Sequence, residues 1–199
     1  MTNTPDAASL AAFLHCLSSL EVKTFHLYKV LSDKVEPPLV KSLLFSIASD
    51  SQKHAVLLKG VANSIGPKNE AHSKDCEKRI GETLQLITAL GKEIDAKERI
   101  DEEELPQFIK KLTCLESTAG EEYSIFVQLR TLEIMATEIK RLYNVDISGV
   151  KDIFESIIED EEHHREVLAS IRDLIHQKNE DLLRDDPLME YRALIGRST

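Results

Sequence analysis

Apolar side chains recur at alternating spacings of three and four over most of the chain, which predicts amphipathic helices with one inward face each. The first stripe reads Leu10, Leu14, Leu17, Glu21, Thr24, Tyr28 and Leu31. The second reads Leu44, Ile47, Ser51, His54, Leu58, Val61 and Ile65. A third runs through Phe108, Leu112, Leu115, Ala119, Phe126 and Leu129 with Glu116 beside it, and a fourth through Phe154, Ile157, Glu161, His164, Leu168, Ile171 and Ile175. Thr4-Pro5-Asp6 supplies an N-cap and a first-turn proline. Pro37 and Pro38 end one helix and open the next, and Gly66-Pro67 closes the second. Leu105-Pro106 opens the third helix, which runs toward Tyr143. Asn144 to Gly149 is a turn with Ser148 as a cap, and the fourth helix covers Gly149 to Lys178. The long connection before the third helix carries a helix over Ser73 to Leu90, stopped at Gly91, and then a charged stretch. The expected fold is all-α: four main helices with a long crossover that contains a short extra helix. One helical domain spans 1–178, and a tail over 179–199, broken by Pro187, bears apolar residues suited to docking on a partner subunit.

Polar residues inside these stripes are the next signal. Glu161 and His164 stand three apart in the middle of an apolar face, so both can reach one interior. A carboxylate buried there costs several kcal/mol (on the order of 3–5) unless it is paired or bound to a metal. Glu21 and His54 occupy the same central place in the first two stripes.

The two halves of the chain repeat one another. Leu17, Leu20, Glu21 and Tyr28 match Leu112, Leu115, Glu116 and Tyr123 at a constant offset of 95 residues. Ile47, Asp50, Ser51, His54 and Leu58 match Ile157, Asp160, Glu161, His164 and Leu168 at an offset of 110 residues. Each half is a helical hairpin giving a Glu from its first helix and a His from its second. This register selects Glu116 over Glu121 and Glu122, and His164 over His163. Tyr28 and Tyr123 read as core residues, with a hydrogen bond to a ligand carboxylate as the alternative. Glu21, His54, Glu116, Glu161 and His164 are the candidate metal ligands.

These five residues, on four helices with a long crossover, resemble the ferritin-like superfamily and its rubrerythrin-like branch, over about Ser9 to Lys178. The resemblance implies a ferritin-like four-helix bundle around a di-iron or di-manganese centre, with oxidation of Fe(II) by peroxide or O2, the chemistry of a ferroxidase or peroxidase. It also implies a glutamate where Ser51 stands, so five of six ligand positions are filled. Asp50, one residue away, is shorter and rotated by about 100°. A weaker or mononuclear site follows, and no rubredoxin domain accompanies it. Iron is the expected cofactor, with manganese or zinc as alternatives. The competing reading is a redox-inactive helical scaffold acting as an interaction module, with Glu and His paired to each other in the core.

Bulk properties narrow the partners. A formal net charge of −10 argues against nucleic acid and anionic membranes as partners. No apolar run reaches the ~18 residues of a membrane span. Three cysteines without a C-x-x-C pair suggest a reduced cytoplasmic chain, and a homodimer is the expected assembly.

Overall fold

Proline and buried aliphatic residues set the helix boundaries. In the computed structural model, which describes residues 7–65, 73–128 and 148–184, Pro37 and Pro38 divide helix α1 (Ala7–Lys34) from α2 (Pro38–Ile65). There follow α3 (Ser73–Arg79), α4 (Gly81–Asp95), α5 (Leu105–Gln128) and α6 (Ser148–Arg184). The described residues are all-helical, and no helix among them is long and apolar enough to cross a membrane. The segment between α5 and α6, the Thr4-Pro5-Asp6 cap, the Gly66-Pro67 stop and the tail beyond Arg184 lie outside the described residues.

Helix α1 packs along α2, and α5 along α6; the two pairs meet chiefly through α2 and α6. Every member of the stripes expected for α1, α2 and α6 is buried, and so are Phe108, Leu112, Leu115 and Ala119 of α5. Phe126 and Leu129 fall outside the described side chains. Fully buried aliphatic and aromatic side chains such as Leu14, Leu44, Phe154 and Leu168 each contribute about 1.5–3 kcal/mol of transfer free energy, which fixes which face of each helix turns inward. The Ser18 hydroxyl donates to the Ala55 carbonyl at 2.8 Å and fastens α1 to α2 near mid-height.

The crossover differs from the expectation. It forms two helices, broken at Ile80 (φ −134°, ψ 37°), and α4 runs through Gly91 to Asp95. Gly91 faces α1, where an added Cβ would meet Leu27 Cδ1 at 3.8 Å, so a glycine here need not end the helix. Burial of Ile94 and Ile100 carries the order past it. The Lys34 ammonium closes the C-terminal end of α4 by donating to the carbonyls of Ile94, Asp95 and Lys97 at 2.9, 3.2 and 2.6 Å. Asp101 then accepts from the backbone N–H groups of Glu103 and Glu104 at the start of the next helix. Helix α6 also passes the expected end at Lys178 and reaches Arg184.

The cysteine expectation is corrected as well. Cys16 of α1 and Cys76 of α3 form a disulfide across a separation of 60 residues, and Cys114 is free and exposed. Counting three cysteines without a short-spaced pair hid a bond that only the folded-back crossover brings together. Closing a loop of this size destabilises the unfolded chain by about 4 kcal/mol through lost chain entropy. We expect one thiol to react with Ellman's reagent in the native chain and three after reduction and unfolding, with reduction lowering the denaturation midpoint. Three reactive thiols in the untreated native chain would refute the bond.

Candidate metal centre

At mid-height the inward stripes place polar side chains where their neighbours are aliphatic. Glu21, His54, Glu116, Glu161 and His164 are all buried, at 3, 0, 2, 4 and 1% exposure. They form two groups: Glu21, His54 and Glu161 in one, and Glu116, Glu161 and His164 in the other. Within each group the ligand atoms lie inside 4.8 Å of one another. Glu161 belongs to both. All five residues expected from the sequence are therefore brought together, and Glu161 is the link between the hairpins.

The spacings within each group are close to, and in one case wider than, those of ligands around an ion. At metal–ligand bonds of about 2.0–2.2 Å, neighbouring ligand atoms sit roughly 3–3.5 Å apart. His54 Nδ1 lies 3.5 Å from Glu161 Oε1 and 3.8 Å from Glu21 Oε1, and is buried without a hydrogen-bond partner. His164 Nδ1 lies 3.3 Å from Glu116 Oε2. The two imidazole centroids are 6.2 Å apart.

The far nitrogens are held from outside, each by the opposite hairpin. His54 Nε2 donates to Asp160 Oδ2 at 2.9 Å, and His164 Nε2 points to Asp50 Oδ2 at 3.5 Å. An imidazole whose Nε2–H is engaged presents the Nδ1 lone pair to the interior, the tautomer a metal requires. Lys53 joins the two aspartates, donating to Asp50 at 2.9 Å and Asp160 at 2.8 Å. Asp50 thus lies behind His164 and outside both ligand groups, so it does not stand in for the carboxylate absent at Ser51. Tyr28, fully buried, donates its hydroxyl to Glu116 Oε1, so it is more than a core residue. The side chain of Tyr123 is outside the described residues. His163 is exposed, in keeping with the register that chose His164.

Asp160 and Lys53 were missed from the sequence, although the repeat aligns Asp50 with Asp160 directly before the positions of Ser51 and Glu161. Losing an outer partner of a metal-bound imidazole typically weakens binding about 10–100-fold. We expect that loss for Asp160→Ala in a competition titration with a chromophoric chelator; undiminished affinity would remove Asp160 from the site.

Without a metal, protons hold the centre together. Burial pushes the Glu161 carboxyl well up, and the nearby charges of Glu116 and Glu21 push it further. Burial alone would also raise Glu116, but hydrogen bonds from His164, Glu161 and Tyr28 outweigh it and leave the group below its ordinary range. Burial would lower both histidines, yet Glu21 and Asp160 raise His54, and Glu116 raises His164. Two carboxylates at this separation repel unless a proton or a cation lies between them.

Comparison with protein-family models, with curated proteins and with solved structures gives no match to this chain.

Proposed function

We propose that this chain is a ferritin-like metal-binding protein whose four long helices form a bundle around a carboxylate–histidine centre for two divalent ions. The observation that carries the reading is the sharing of Glu161 between two buried three-residue ligand groups. Glu21 and His54 would hold one ion, Glu116 and His164 the other, and Glu161 both. Carboxylate and imidazole donors suit Fe(II), Mn(II) or Zn(II). With iron bound, the centre would supply oxidation of Fe(II) by peroxide or O2, as in the family it resembles. The residues would supply ligand geometry and dryness, and with Asp160 and Asp50 engaging the Nε2 atoms, His54 and His164 would turn Nδ1 lone pairs inward once a metal replaces their protons.

A second reading, a redox-inactive scaffold, draws on the pairs that already satisfy part of the centre, Tyr28 with Glu116 and His164 with Glu116. Elemental analysis of the chain expressed with iron and manganese supplements, beside a Glu161→Ala/His164→Ala variant, separates the two. The metal reading expects two ions per chain, lost in the variant. Metal at background in the parent would leave the scaffold.

A further inference from the structure

Ser51 interrupts the pseudo-symmetry of the centre. The repeat carries Glu21 to Glu116, His54 to His164 and Asp50 to Asp160, and the reciprocal His54–Asp160 and His164–Asp50 contacts follow the same pairing. It carries Glu161, the shared carboxylate, onto Ser51. Each ligand group therefore holds three protein residues, and Ser51 occupies the position that the repeat matches to the shared carboxylate. Three protein ligands leave room at a divalent ion for an exogenous one.

Two observations of a different kind bear on that side. The Ser51 hydroxyl is 1% exposed, one helical turn before His54, and its oxygen has no hydrogen-bond partner. A buried hydroxyl left this way costs about 1–3 kcal/mol, so a partner is called for. The charge is also incomplete: Glu21, Glu116 and Glu161 leave one positive charge on a pair of divalent ions. Serine is shorter than glutamate by about three non-hydrogen atoms, the size of formate.

We propose that the metal-loaded centre binds a small carboxylate-type anion beside Ser51, drawn by the uncompensated positive charge, with the Ser51 hydroxyl donating to it. This rests on the two-metal reading. A water molecule would satisfy the hydroxyl but would not supply the missing charge.

The test uses the full chain loaded with Co(II), titrated with sodium formate, acetate or bicarbonate and followed by visible absorption and calorimetry, with chloride as the control. The expected result is saturable binding of one formate per two ions, with acetate and bicarbonate distinguishing a monocarboxylate from a carbonate preference. Ser51→Ala should keep both ions and bind formate about tenfold more weakly, the effect of one hydrogen bond to a charged group. Ser51→Glu should keep both ions and bind no formate, because its own carboxylate fills the place. Two ions per chain with no response to any of the three anions would overturn the anion site and leave the metal reading intact. Unchanged formate binding in Ser51→Glu would do the same. A chain that takes up no Co(II) would remove both.

Discussion

Replacing Glu161 with alanine is expected to empty both metal subsites at once, whereas Glu21→Ala should empty only one. The difference follows from membership: Glu161 is in both ligand groups and Glu21 in one. Metal affinity should fall by more than about 100-fold in Glu161→Ala, beyond the range for losing an outer partner of a ligand. The same substitution should also lower the stability of the metal-free fold. It removes a carboxyl 4% exposed that hydrogen-bonds Glu116, and it leaves a cavity in its place. Metal titration and chelator-treated melting of the two variants check both halves of the statement. Equal loss in Glu21→Ala and Glu161→Ala would mean that the two groups do not share a ligand.

The second large effect is on stability against pH. The metal-free chain should become less stable as pH rises from about 5 to about 8, a window set by the ordinary carboxylate and imidazole values of the unfolded chain. Glu161, His54 and His164 all hold their protons more tightly folded than unfolded. The folded state therefore binds more protons across that window, and raising the pH favours unfolding. Glu116 and Asp160 are shifted the other way, so their contribution is lost as pH falls below about 4. The optimum is mildly acidic. A bound ion takes the place of the protons, so metal affinity should rise with pH and the melting temperature should recover, by several degrees, on adding Mn(II) or Zn(II) at pH 8. Melting curves in the presence of a chelator at several pH values measure this; stability that climbs between pH 5 and 8 without metal would contradict the proton account.

The helices and the ligand candidates were legible because both are written in period. A seven-residue stripe such as Phe154 to Ile175 leaves one inward facing, and Glu161 and His164 in its middle have nowhere else to go. The repeat then selected Glu116 from three neighbouring glutamates. What escaped the sequence depends on contacts between distant elements. Asp160 and Lys53 lie beside the stripe, partly exposed, and gain meaning only when α2 and α6 are set side by side. The bond between Cys16 and Cys76 and the continuation of α4 beyond Gly91 depend on how the crossover lies against α1. Asp50 was one residue from the gap in sequence, but its helix turns it behind His164.

The two ligand groups also differ in origin. Glu116, Glu161 and His164 all come from α5 and α6, whereas the group containing Glu21 and His54 takes its third member from α6. The halves of the repeat are thus donor and recipient. The second hairpin carries a complete three-residue set on its own two helices, and the first cannot assemble one without it. A change at position 161 therefore reaches both groups, whereas a change at position 21 or 54 reaches only the first.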